Sequence, residues 1–73
     1  MPGLPVVSGE QVVRAFQNAG WLKDRQRGSH VILIKHAHPA SLSVPLHRQV
    51  APGTLRSLIR AAGISVADFC ALL

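Results

Sequence analysis

The chain has 73 residues, 48% hydrophobic and 4% aromatic, with eight Lys and Arg against three Asp and Glu, a formal charge of +5. That length allows a single domain, residues 1–73, with a thin core, and the apolar fraction excludes a disordered chain. The charge excess points to a polyanionic partner, nucleic acid first, although an acidic protein would answer to the same field.

With so few aromatics, the core is expected to be built from Val, Leu, Ile and Ala. The single cysteine, Cys70, excludes an internal disulfide framework. Its setting beside Phe69 and Leu72 suggests a small buried apolar residue rather than a reactive thiol. No apolar run approaches a membrane span, and Met1-Pro2-Gly3-Leu4-Pro5 lacks the basic-then-apolar order of a secretion signal. The expectation is a cytoplasmic protein with no membrane partner.

Residues 1 to 7 are punctuated by Pro and Gly and read as extended. Ser8 and Gln11 have capping-box spacing and open a helix. Val12, Phe16 and Ala19, with Val13 beside them, form its apolar stripe, and Gly20 suits the left-handed position after the last turn, so the helix spans about Gly9 to Ala19. Residues 21–26 read as a short edge strand. Its Trp21 could be a base-stacking platform, but a lid on the core directly after a helix is the simpler reading.

Gly28 marks a turn, and Ser29 to Lys35 carries the strongest strand signal. Alternation puts His30, Ile32 and Ile34 on one face and Ser29, Val31, Leu33 and Lys35 on the other. Apolar residues on both faces argue for a central strand. His36 to Ala40 is a turn, and Ser41 to Leu46 a third strand with Leu42, Val44 and Leu46 inward and Pro45 near its end at an edge. A loop, His47 to Ala51, leads to a second helix with Pro52 in its first turn and Leu55, Leu58, Ile59 and Ala62 as its buried stripe. Arg56 and Arg60 lie four apart on its other side, like charges that repel unless an anion sits between them. Gly63 ends that helix, and Ser65 with Asp68 caps a short third one with Phe69, Leu72 and Leu73 as its apolar face. The order α-β-β-β-α-α predicts an α+β fold with helices on one face of a three-stranded antiparallel sheet, similar to the double-stranded-RNA-binding fold.

The usual enzyme constellations are missing. Glu10, Asp24 and Asp68 are scattered, and neither a P-loop nor a dinucleotide fingerprint is present. Ser29 beside His30 looks like a nucleophile pair, but strand neighbours point to opposite faces. His36 and His38, with His47 across the hairpin, lack the carboxylates or second cysteine that a metal site wants, so solvated turn histidines are the simpler reading, and no metal or other cofactor is called for. His30 differs by context. It follows a glycine turn beside Arg25 and Arg27, with Lys35 further along the strand. A histidine can take a proton from a hydroxyl and return one to a leaving oxygen near pH 7, guanidinium groups can hold the phosphate, and RNA brings its own nucleophile, the ribose 2′-hydroxyl. On residues alone, a structural histidine at a strand start is the commoner case.

Val7-Ser8-Gly9-Glu10, Ala19-Gly20-Trp21, Arg25-Gln26-Arg27-Gly28-Ser29-His30, Val44-Pro45-Leu46-His47, Pro52-Gly53-Thr54-Leu55-Arg56-Ser57-Leu58-Ile59 and Ala62-Gly63-Ile64-Ser65, with Phe69 and Leu72-Leu73 after them, stand in a specific order over residues 4 to 73. In this the chain resembles the HicA-type toxins of prokaryotic toxin–antitoxin modules. The resemblance implies a double-stranded-RNA-binding-like fold and an mRNA-cleaving endoribonuclease with His30 as the catalytic residue. It also implies a HicB-type antitoxin that masks that histidine in a hetero-oligomeric complex. Many relatives carry a longer Gly- and Lys-rich segment around the third strand; here the turn is His36 to Ala40 and the loop only His47 to Ala51, so His47 and Arg48 would supply the contacts there.

The expectation is therefore an endoribonuclease toxin needing no metal. His30 is catalytic, and Arg25, Arg27, Lys35, His47, Arg48 and Arg56 contact RNA phosphates, with Arg60 a weaker candidate. His47 is also a candidate second proton-transfer group. Few aromatics are available to read bases by stacking, so sequence selectivity is expected to be weak. The alternatives are a non-catalytic RNA-binding module of the same fold, which would use the same basic surface without a reactive group, and a pure protein-interaction domain with no RNA affinity.

Overall fold

A computed structural model describes residues 3–73; the extended reading of Met1 and Pro2 lies outside it. The elements are α1 (Gly9–Asn18), β1 (Leu22–Arg27), β2 (His30–Ile34), β3 (Leu42–Pro45), α2 (Pro52–Ala62) and α3 (Val66–Ala71). The sheet is antiparallel with order β1-β2-β3, so β2 is central and β1 is an edge. This is the α+β arrangement that the order of elements predicts.

The helix starts follow their capping residues. The Ser8 hydroxyl accepts from the Gln11 amide at 3.2 Å while the Ser8 amide donates to the Gln11 side chain at 2.9 Å, a complete capping box. Pro52 opens α2 without a side-chain cap, and Gly63 closes it in the left-handed conformation at φ 77°. The Ser65 hydroxyl accepts from the Asp68 amide at 3.0 Å to open α3. Leu73, expected on the buried face, is past the end of that short helix and exposed, and Cys70, next round the helix from Phe69, is only half-buried.

All three helices contribute to one core against one face of the sheet. Val12, Ala15 and Phe16 come from α1, Val31 and Leu33 from β2, Leu42 and Val44 from β3, the expected four residues from α2, and Phe69 from α3. Val, Leu, Ile and Ala make up most of this core, as expected, and the aromatic residues complete it. The chain's only Trp and both Phe are fully buried, with Phe16 at 6.2 Å from Trp21 and 5.3 Å from Phe69 between ring centroids. Each ring buries about 150–250 Å², a large contribution from one residue, which suits a short chain. Trp21 is 2% exposed and so serves as core, not as a stacking platform.

The tightest joint is where α1 meets the end of β3. The Gly9 amide donates to the His47 carbonyl at 2.9 Å. A Cβ on Gly9 would lie 2.1 Å from the Pro45 carbonyl oxygen and 2.7 Å from the Leu46 Cα, so no side chain fits. Gly53, also helical, has open space around it. Gly9→Ala is therefore expected to cost about 3 kcal/mol, the upper end of overpacking. Gly53→Ala is expected to gain about 0.5–1 kcal/mol from helix propensity. Urea denaturation of the two variants beside the parent checks both signs.

Candidate nucleic-acid interface

His30 stands at the first position of β2, across a two-residue turn from Arg27. Gly28, the first turn residue, has φ 59°, while Ser29 stays at negative φ, the pattern of a hairpin turn that demands glycine first. Ser29 thus belongs to the turn and not, as expected, to the strand.

Strand alternation then decides what surrounds the imidazole. Val31 and Leu33 point into the core, so His30, Ile32 and Ile34 point away from the helices, on the uncovered face. Directly paired residues share a face with Cβ atoms about 4.5–5.5 Å apart. The register therefore builds three rows on that face. One is Arg27–His30–Pro45, the next Arg25–Ile32–Ser43, and the last begins Leu22–Ile34.

The rows depend on an irregularity invisible to the pattern of residues. Leu22 and Arg25 are three apart, which in a regular strand would put them on opposite faces. The register shifts between Lys23 and Arg25, so Asp24 is an extra residue in β1, a bulge. Lys23 and Gln26, also three apart, accordingly share the helix side, where the Lys23 ammonium donates to the Gln26 side-chain Oε1 at 3.3 Å.

The imidazole of His30 is exposed and makes no hydrogen bond to any described residue. Arg27 is its direct neighbour and has no carboxylate partner among the described residues. Arg25, one row on, is paired with Asp24 at the bulge, so part of its charge is already answered. His47 and Arg48 reach the same end of the sheet by a different route. The Leu46 amide donates to the Ser29 carbonyl at 2.7 Å, which ties the chain after β3 to the turn that presents His30. His47 and Arg48 then line a cleft of about 220 Å³ with Ser8, Glu10 and Leu46.

Other expected contacts are set apart from this group. Lys35 lies beyond the far end of β2, where its side chain runs beside Gly20. Arg56 and Arg60 are exposed on α2, in the helical layer. Two cations that the sequence reading passed over, Arg14 and Lys23, line a cleft of about 320 Å³ between α1 and β1 together with Glu10, Gln26 and Leu46. Glu10 and Leu46 line both clefts, so the two adjoin along α1. The Glu10–Arg14 spacing of one helical turn was the available signal.

The remaining histidines part company. His36 is exposed in the β2–β3 turn. His38 is not a solvated turn residue as expected. It is half-buried, its ring centroid is 4.8 Å from that of Trp21, and its Nδ1 accepts from the Ala40 amide at 3.2 Å. Among the described residues no three His, Cys, Asp or Glu side chains form a cluster able to hold a metal ion. Likewise no helix there is long and apolar enough to cross a membrane.

Trp21 is the only tryptophan, so its emission reports on that contact. His38→Ala is expected to red-shift the fluorescence and lower stability by about 1 kcal/mol, through the lost ring contact and hydrogen bond. His30→Ala, which removes an exposed side chain without partners, should change neither. Emission spectra and thermal melts of both variants decide this.

A family model described as the HicA toxin of bacterial toxin–antitoxin matches residues 9–64, which hold all of α1, the whole sheet and α2. No curated protein matches the chain.

Proposed function

The chain belongs to the HicA toxin family of bacterial toxin–antitoxin modules, and from that premise we propose that it is an endoribonuclease that cleaves mRNA with His30 and is silenced by a HicB-type antitoxin. The observation that carries this reading is the pairing of His30 with Arg27 on a sheet face that no helix covers.

The chemistry needs little else. Arg27, directly across from His30, holds a backbone phosphate so that the adjacent ribose 2′-hydroxyl lies against the imidazole. His30 takes the 2′ proton. The 2′ oxygen attacks phosphorus, and the bond from phosphorus to the 5′ oxygen of the next nucleotide breaks. That oxygen leaves with a proton, giving a 2′,3′-cyclic phosphate and a 5′-hydroxyl. His47, held beside the same turn by the Leu46–Ser29 and Gly9–His47 hydrogen bonds, is the candidate donor for the leaving oxygen, and Arg48 next to it extends the phosphate track. No step calls on a metal or an organic cofactor. Arg25, in its pair with Asp24, contributes to phosphate binding once RNA competes for the guanidinium. Lys35, Arg56 and Arg60 stand too far from His30 along the strand or in the helical layer to share its phosphate, and would touch only RNA that wraps the domain.

Labelled single-stranded RNA incubated with the purified chain in chelator tests the assignment. His30→Ala should lower cleavage at least 100-fold, the usual worth of a positioned acid–base group, with binding retained. Equal cleavage by both proteins removes His30 from the mechanism. Arg27→Gln should weaken RNA binding and reduce the salt dependence of log K by about one phosphate contact. An unchanged salt slope would take Arg27 out of the phosphate site.

A further inference from the structure

The face that carries His30 has a second end with different chemistry. Leu22 and Ile34 are register partners there, 63% and 41% exposed, and neither belongs to the core. They share the face of Arg25, Arg27 and His30 because the Asp24 bulge brings Leu22 round to it. Four strand positions separate Ile34 from His30, about 13 Å. Among the described residues, the large exposed hydrophobics are Val6, Leu22, Ile34 and Leu73, and of these Leu22 and Ile34 alone are register partners.

An aliphatic pair is of no use to RNA, whose phosphates seek cations and whose bases seek flat rings or hydrogen bonds. It does suit a protein. A stable protein interface buries about 800 Å² on each partner, far more than two part-exposed side chains offer. A partner seated on them must therefore continue over the neighbouring rows. Those rows carry Arg25 and Arg27 with Asp24 as their only nearby acid, on a chain of charge +5, so the continuation favours carboxylates. The family supplies the partner class, since a toxin of this kind is one half of a toxin–antitoxin pair.

We propose that Leu22 and Ile34 are the apolar anchor for the antitoxin, an acidic protein surface that seats apolar side chains on this pair, sets carboxylates against Arg25 and Arg27, and so lies over His30. The anchor rests on the family and on the exposed pair. Only its inhibitory consequence rests on the reading of His30 given above. It follows that binding of antitoxin and binding of RNA are separable by mutation, because RNA uses one end of the face and the antitoxin uses both.

The double variant Leu22→Thr/Ile34→Thr keeps strand-compatible residues at exposed positions, and Leu73→Ser, on the helical side beside Gln11 and Asn18, is the control. The cognate antitoxin, taken from the adjoining reading frame and purified separately, is titrated against wild type and both variants, with thermal melts confirming the fold. The double variant should bind it about 30-fold more weakly, the effect of truncating two interface anchors, and Leu73→Ser should bind like wild type. RNA cleavage by the double variant alone should stay within twofold of wild type, and stopping it should take about 30-fold more free antitoxin. Antitoxin affinity within threefold of wild type would overturn the anchor, as would a parallel loss of RNA cleavage in a folded double variant. If wild type itself cleaves no RNA, the enzymatic reading fails, and the titration still decides the anchor.

Discussion

A three-stranded sheet has two faces, and this chain has helices for only one of them. Every apolar side chain that α1, α2 and α3 can bury is spent against Val31, Leu33, Leu42 and Val44. The pleat then forces the alternate residues of the central strand, His30, Ile32 and Ile34, to the other side. This gives polar and charged side chains a place on so small a protein. An imidazole and two guanidinium groups inside the core would have had to be desolvated, at a cost the thin core could not offset. On the uncovered face they remain hydrated while the strand beneath them is held rigidly from behind.

Rigidity at the His30 end comes from the backbone. Three chain segments meet there and bond to one another without side chains. The Leu46 amide holds the Ser29 carbonyl in the hairpin turn, and the His47 carbonyl takes the Gly9 amide at the start of α1. Gly9 is what lets the helix come this close, because its missing side chain would occupy the space of the Pro45 carbonyl. Pro45 is in turn the residue paired with His30. The result is a side chain fixed at its root and free at its ring, the condition a residue must meet if it is to act on a substrate. A site built from side-chain hydrogen bonds would have engaged the imidazole nitrogens themselves.

Most of the architecture was legible in the residues, because helix caps, glycine stops and period-two alternation are local signals. Ser8 with Gln11, Gly63, and the alternation through His30–Ile34 all led to the observed elements. What was not legible depended on pairing. Residues 22–27 contain one apolar side chain, so nothing in their pattern announces that Asp24 is an extra residue in the ladder, and with it which face Leu22 takes. The grouping of Arg27 with His30 could be guessed from the turn. The separation of Lys35 could not, because it follows from where β2 stops, one residue short of that lysine. Phe16, Trp21 and Phe69 were each legible as core residues from their local patterns, but that these rings from three separate segments meet around Phe16 depends on the tertiary fold.

The histidines show how the same residue type is given different work by its neighbours. A ring nitrogen that accepts from a main-chain amide must be unprotonated in that state, and its proton sits on the other nitrogen. His38 is in that position, since Nδ1 takes the Ala40 amide while the ring lies against Trp21. Both that nitrogen and that face of the ring are therefore already engaged by the fold. His30 has no such engagement. Neither nitrogen has a partner among the described residues, the ring is in solvent, and its register partner is the cation Arg27. Four histidines in 73 residues is thus a poor guide to chemistry until the hydrogen bonds are counted. Only the His38 ring is engaged by a hydrogen bond among the described residues; His30, His36 and His47 are all exposed, and of these His30 alone has a guanidinium, that of Arg27, as its register partner.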